Sequence, residues 1–289
     1  MIDIGGGNAL ALHTDGVGTK VLVAEMLKEY RTVGIDCVAM NVNDLICVGA
    51  EPIALVDYLA LEKMDQRLVN DVMVGLEKGA RDAGVAIVAG ETAVMPEVIQ
   101  KFDLSAMSIG VVKKSKIITG EKVKVGDAII GLPSSGIHSN GLTLARKILF
   151  RKGFEREVAK ELLTPTRIYV KQIMKLLKSR IQIRGLAHIT GGAFSKLKRI
   201  GGRANVGFYL DGLFQPHAIF KEIQEKGHIS DREMYRTFNM GTGFLVFCAK
   251  NEAENALGAL PNARKVGDVV KERKVIVEVD SKKIEVEAW

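Results

Sequence analysis

Apolar and polar positions alternate from Ala9 to Thr14, the pattern of a half-buried strand, and this predicted strand carries Asp15 to its C-terminal end. Helical spacing takes over at once. Val21, Leu22, Met26 and Leu27 mark one helix within residues 20–30, and Ile35, Val38, Val42, Leu45 and Ile46 mark a second that ends at Gly49. Residues 53–61 read as a strand and residues 68–82 as an amphipathic helix closed by Gly84. Two more strands follow at residues 85–89 and 105–112. A lysine-rich polar stretch from Lys113 to Gly126 then breaks the pattern, which places a domain boundary there and predicts domains of 1–118 and 119–289. Beyond it, residues 128–132, 183–189, 204–210 and 244–249 read as strands, with helices at 142–149, 168–177 and 216–226. From Lys265 valine alternates with charge in the manner of edge strands. Strands interleaved with helices in both halves predict a two-domain α/β protein.

Composition changes this picture little. A chain of 289 residues, 47% of them hydrophobic, has enough material for two cores. The formal charge of +7 suits an anionic small molecule, but basic residues are scattered among glutamates. The basic stretches at 113–124 and around Lys196, Lys198 and Arg199 lack the interleaved aromatics of a nucleic-acid binder. Cys37, Cys47 and Cys248 have neither zinc-site spacing nor a disulfide framework, so a reducing, cytoplasmic setting is expected. No apolar run approaches the roughly 20 residues of a membrane span.

The candidate chemistry sits where predicted strands end. Thr14-Asp-Gly-Val-Gly-Thr-Lys20 brings a carboxylate, two glycines, a hydroxyl and an ammonium together. Asp15 suits a hard cation, Gly16 and Gly18 allow backbone N–H groups to approach phosphate oxygens, and Lys20 supplies positive charge. An ordinary glycine turn explains the same residues. Asn41, Asn43 and Asp44 lie among the apolar positions of the second helix, where a carboxylate bordering a buried stripe needs a partner. A further acidic residue, Glu91, follows Gly90 and precedes Thr92. The loop from Pro133 to Gly141, rich in hydroxyls, an amide and an imidazole, precedes a helix N-terminus, where it suits an anion or serves as a cap. A third strand–glycine–helix junction lies at His188 to Ala193.

Taken in order, Thr14–Lys20, Val42-Asn-Asp-Leu45, Gly90-Glu-Thr-Ala-Val-Met-Pro96, Ser134-Ser-Gly-Ile-His-Ser-Asn-Gly141, Pro165-Thr-Arg-Ile-Tyr169, His188-Ile-Thr-Gly-Gly192 and Met234-Tyr-Arg-Thr-Phe-Asn-Met-Gly241 resemble the phosphoribosylformylglycinamidine cyclo-ligase family, the aminoimidazole ribonucleotide synthetases of purine biosynthesis. The resemblance spans nearly the whole chain. It implies an N-terminal ATP-binding domain whose sheet forms a β-barrel with that of a second subunit in a homodimer, and a C-terminal α/β sandwich domain that binds substrate. The implied activity is ATP-driven ring closure of formylglycinamidine ribonucleotide, with magnesium as the accompanying metal. It also implies roles for individual residues. Asp15, Gly16, Gly18, Thr19, Lys20, Asn43, Asp44, Gly90, Glu91 and Thr92 would hold the nucleotide, and Asp15, Asp44 and Glu91 the magnesium. Ser134, Ser135, Gly136, His138, Ser139, Asn140, His188, Thr190, Gly191 and Gly192 would hold the substrate and its ribose phosphate. Lys20 and His138 are the expected catalytic groups, Lys20 facing phosphate and His138 moving a proton. His188 reads equally well as a structural histidine at a strand end.

Three positions depart from the family pattern: Ala89 and Ala193 replace glycine, and Val94 replaces glutamate. Relatives also carry a further N-terminal segment with a glycine-rich stretch over the nucleotide, so the resemblance implies that part of that cover is missing from this sequence. Thiamine-monophosphate kinase, selenophosphate synthetase and the hydrogenase-maturation dehydratase belong to the same superfamily. The absence of a cysteine near the N-terminus disfavours selenium chemistry, which leaves a related small-molecule kinase, or a nucleotide-binding subunit without activity, as the alternatives. In Gly16-Val-Gly-Thr-Lys20 the lysine follows the threonine, which is the wrong order for a P-loop.

Overall fold

The computed structural model describes residues 1–289, which form two compact units: Met1–Ile117 with Leu142–Lys171, and Ile118–Gly141 with Gln172–Trp289. The change of composition points to one boundary near residue 118. In the folded chain residues 142–171 pack with the first unit, because polar groups of its buried helix bind residues 164–169.

In chain order the first unit contains β1 (Ile2–Asp3), β2 (Asn8–Gly16), α1 (Lys20–Leu27), α2 (Arg31–Ile46), β3 (Glu51–Leu61), α3 (Gln66–Ala83), β4 (Ala86–Val94) and β5 (Phe102–Lys113). Its five strands lie in the order β1-β2-β5-β3-β4, with only β3 and β4 parallel. Strict alternation along β5 turns Leu104, Ala106, Ser108 and Val112 inward. Ala9 and Ala11 of β2 are buried as well. The opposite face leaves Leu12 and Tyr58 exposed beside Met107 and Ile109. α2 is buried on nearly every side, so it reads as apolar with four polar interruptions, Asp36, Asn41, Asn43 and Asp44. It meets α3 at closest range through glycine: a Cβ on Gly75 would lie 1.9 Å from the carbonyl oxygen of Arg31, and one on Gly34 would lie 2.5 Å from that of Val72. Asp65 caps α3 by accepting from the amides of Arg67 and Leu68, and Gly84 in the left-handed conformation closes it.

The rest of the chain runs β6 (Ala128–Pro133), α4 (Leu142–Leu149), α5 (Arg156–Leu162), α6 (Val170–Leu177), β7 (Ile183–His188), α7 (Lys198–Ala204), β8 (Gly207–Leu210), α8 (Ala218–Gly227), α9 (Asp231–Thr237), β9 (Thr242–Cys248), α10 (Ala253–Ala259), β10 (Arg264–Val270), β11 (Lys274–Val279) and β12 (Lys282–Ala288). The second sheet has the order β12-β11-β8-β10-β6-β9-β7, antiparallel except for the β8/β11 pair. Of the tail strands expected at an edge, only β12 is one; β10 lies inside the sheet between β8 and β6. No helix is long and apolar enough to cross a membrane.

Candidate functional site

β2 ends at Gly16, and the turn after it enters α1. Asp15 is half-buried there, and its Oδ1 accepts the Gly16 amide at 2.8 Å. Gly18 has φ +67° and open space where a Cβ would stand, so the turn can take a bulky ligand close to its backbone. Thr19 Oγ1 lies 2.9 Å from Thr143 Oγ1.

Lys20 departs from its expected place facing phosphate. The side chain is fully buried, with Nζ 2.8 Å from Asp36 Oδ2 and 3.0 Å from Oδ1, and it donates to the carbonyl oxygen of Thr164 at 2.7 Å. Asp36 Oδ1 also accepts the Thr166 amide at 2.7 Å and its hydroxyl at 2.6 Å. Three fixed acceptor contacts hold the ammonium inside the unit. Its pKa is lowered by burial and raised in part by Asp36. Asn43 is used in a similar way: its Nδ2 donates to the carbonyl of Arg167 at 2.8 Å while its Oδ1 accepts the Tyr169 amide at 2.9 Å. The Pro165–Tyr169 motif is therefore docked on α2 by Asp36 and Asn43.

Asp44 faces the other way, toward β2. His13, two residues before Asp15 and so on the same face of the strand, brings Nε2 to 3.3 Å from Asp44 Oδ2. The hydrogen bond to Asp44 is the chief cause of a raised His13 pKa, which burial opposes and the charges of Asp44 and Asp15 reinforce. In return Asn41 Nδ2 donates to the carbonyl of Asp15 at 3.1 Å and to that of Cys37 at 2.9 Å. Asp44 is thus held by an imidazole from the strand that carries Asp15, whose charge also acts on that ring. Glu91 lies within β4, not at its end, and is exposed, as is Thr92. Gly90 is needed beside it, since a Cβ would stand 2.6 Å from Asp57 Oδ1. Asp57 itself is buried on β3, and burial raises its carboxyl above the usual 3.8.

No three His, Cys, Asp or Glu side chains converge as a metal site, so Asp15, Asp44 and Glu91 are not a preassembled triad. Magnesium needs only one or two carboxylates beside phosphate oxygens and water. Asp15 and Asp44, on facing elements of the first unit, supply carboxylates of that kind.

In the second unit the loop between β6 and residue 141 is held from below. Asn239 Nδ2 donates to the carbonyl of Gly136 at 2.9 Å, and its Oδ1 accepts the Gly241 amide at 2.9 Å. Gly141 abuts Phe238 so closely that a Cβ would lie 2.2 Å from the ring. His138, the expected proton carrier, is fully buried with φ +62°, and its Nε2 accepts the Ser135 amide at 3.2 Å, so it braces the loop. Its ring lies 6.3 Å from that of His188, which also packs on Phe244. Two polar atoms stand out. Ser134 Oγ and Asn140 Nδ2 are buried with no hydrogen-bond partner. Asn140 Oδ1 presses on Gly191, where a Cβ would come within 2.7 Å, and Thr190 Oγ1 bonds Lys196 Nζ. At the position where the family carries glycine, Ala193 has φ +39° and gives its amide to the carbonyl of Thr190 at 2.6 Å.

The first 112 residues match the model of the AIR synthase related protein N-terminal domain, and residues 124–280 match that of the C-terminal domain. The chain belongs to the AIR synthase related family. It is 55% identical over 261 residues to the phosphoribosylformylglycinamidine cyclo-ligase of Pyrococcus furiosus, covering 88% of this chain and 76% of that one. With the protein of the same name from Methanocaldococcus jannaschii it shares 51% over 258 residues, 86% of this chain and 73% of that one. Among solved structures, the hydrogenase maturation protein HypE in complex with ATP matches with a TM-score of 0.71 at 20% identity, covering 100% of this chain and 87% of that one, which shows a shared fold.

Two outcomes follow from the buried charges. Lys20→Met would leave Asp36 buried without its cation, a change expected to cost about 3–5 kcal/mol. Urea denaturation measures it, and unchanged stability would return the ammonium to the phosphates. Asp57 has its carboxyl raised in the folded state. Its contribution is favourable below the unfolded value and is lost as pH rises through the folded one. Asp57→Asn is therefore expected to raise the melting temperature at pH 7.5 and not at pH 4; equal shifts at both would show that ionisation is not the cause.

Proposed function

We propose that the protein closes the imidazole ring of formylglycinamidine ribonucleotide at the expense of ATP, giving aminoimidazole ribonucleotide, ADP and phosphate. The observation that carries this reading is identity at more than half of the aligned positions with cyclo-ligases. The local geometry supports it. In the reaction the formyl-amide oxygen attacks the γ-phosphorus and ADP leaves. The amidine-side nitrogen then attacks the activated carbon, the C–O bond to phosphate breaks, and the nitrogen loses a proton.

Magnesium, when bound, counters the charge that spreads over the transferring phosphoryl group. Asp15 and Asp44 would hold it, with Glu91 as the remaining carboxylate of the set. The Gly16–Gly18 turn lets the phosphates approach the backbone, while Lys20 acts one layer deeper by fixing the start of α1. In the second unit Ser134 Oγ and Asn140 Nδ2, buried polar atoms without a protein partner in the loop before α4, suit the oxygens of the ribose phosphate. His138 supports that loop. Leu12, Tyr58, Met107 and Ile109 form the uncovered face of the first sheet, and an apolar sheet face of this kind suits a homodimer built sheet to sheet.

Purified protein incubated with formylglycinamidine ribonucleotide, ATP and magnesium is expected to release aminoimidazole ribonucleotide and ADP in equal amounts. Asp15→Asn should lower turnover at least about 100-fold, given the several kcal/mol a metal supplies, with circular dichroism unchanged. Normal turnover in that variant would remove Asp15 from the metal. Sedimentation at micromolar concentration is expected to return the mass of two chains.

A further inference from the structure

We propose that His13 is a positioning residue for Asp44, holding that carboxylate from the neighbouring strand in the orientation a magnesium-nucleotide takes. The inference rests on the nucleotide site proposed above for Asp15 and Asp44. It starts from the placement of the imidazole. His13 and Asp15 are two residues apart on β2 and share the face that looks onto α2. The imidazole therefore bridges the strand that carries one acidic residue to the helix that carries the other, with Nε2 at 3.3 Å from Asp44 Oδ2.

The far side of the ring is turned away from solvent. His13 Nδ1 is buried without a protein hydrogen-bond partner, as is Asn41 Oδ1 on α2. The same Asn41 ties the helix to the strand. Its Nδ2 meanwhile holds the carbonyl of Asp15. Strand and helix are thus braced twice in opposite senses, by Asn41 reaching to the Asp15 backbone and by His13 reaching to the Asp44 side chain. The first brace sets where Asp15 stands. The second sets which way Asp44 points. His13 and Asp44 are each more than a quarter exposed at the side chain, so the imidazole lies at the rim of the site, with its ring supporting the carboxylate from one side.

Partners of this kind, which orient a metal-binding group without touching the metal, typically contribute about 10–100-fold to metal affinity. The test is calorimetric titration with magnesium-ADP, which binds without turnover, on the wild type, His13→Gln, His13→Ala, Asp44→Asn and the double variant His13→Ala/Asp44→Asn. His13→Ala is expected to weaken binding about tenfold. His13→Gln, whose amide places a donor near the position of Nε2, should stay within about threefold. In the Asp44→Asn background the alanine change should add less than about twofold, because the residue acts through Asp44. Binding by His13→Ala equal to the wild type overturns the inference, as does an undiminished loss in the Asp44→Asn background. Failure of the wild type to bind magnesium-ADP overturns the nucleotide site and this inference together, a result distinct from either. Should His13→Ala not fold, His13→Asn, which is too short to place a donor at Nε2, takes its place against His13→Gln.

Discussion

Asp36 carries its carboxylate where no water reaches it, and the first unit is arranged around that constraint. An ion taken out of water costs several kcal/mol unless its attraction to a partner and its hydrogen bonds offset the loss. Lys20 supplies the opposite charge, and the amide and hydroxyl of Thr166 supply the remaining donors. Each partner comes from a different part of the chain. One carboxylate therefore fixes the first turn of α1, the middle of α2 and the segment near residue 165 relative to one another, and Asn43 repeats the device one helical stretch later with Arg167 and Tyr169. The turn from Thr14 to Lys20 is anchored at its lysine end by this pair and at its aspartate end by Asn41. This glycine turn is thus held at both ends by side chains, while a Cβ on Gly18 in its middle would meet nothing.

The elements were legible wherever periodicity was clean. Alternation in β2 and β5, and the stripe of α3 with its Gly84 cap, correspond closely to the folded chain. β4 runs on through Glu91 to Val94, because the strand pairs with β3 past the glycine that reads as its end. β10 shows valine beside charge like an edge strand and still lies inside the sheet, since its neighbours are set by long-range pairing that no local pattern encodes. The site divided along the same line. Asp15 and Asp44 were visible as carboxylates beside apolar runs. Lys20 was visible too, but its partner lies in the next helix, and nothing in a run of glycine, threonine and lysine says whether the ammonium faces a ligand or a buried aspartate. The signal that separates the two readings is Asp36 itself, a carboxylate between Ile35 and Cys37 that has to be neutralised. Likewise the two-residue period that put Asp15 at the strand end puts His13 on the same face.

In the second unit backbone geometry accounts for much of the motif. Phe238 and Gly141 are matched in shape, and Asn239 ties the loop to the strand that follows it. His138 occupies a left-handed position and uses its Nε2 on a backbone amide, so a residue of catalytic type serves as internal scaffolding. Ala193 is the contrary case. It occupies a left-handed φ without the freedom glycine would bring, and this strained position lies directly after Gly192, also left-handed. The junction keeps its shape because the Ala193 amide is bonded back to Thr190 and its side chain is fully buried.

The acidic side chains of the first unit differ in how their charge is met. Burial, reinforced by Asp57, Asp36, Asp103 and Asp15, pushes the pKa of the Cys37 thiol well up. Lys20 meets Asp36 in direct contact, out of solvent. His13 tempers Asp44 from the rim. Asp57 is shifted toward its protonated form by burial. Asp15 has no cation of its own among its bonded partners, only the Gly16 amide. Asp15 is thus left with a backbone amide as its bonded partner beside the turn at Gly16 and Gly18. A divalent cation bound there, as proposed above, would join that carboxylate to phosphate and so tie nucleotide affinity at this turn to the metal that arrives with it.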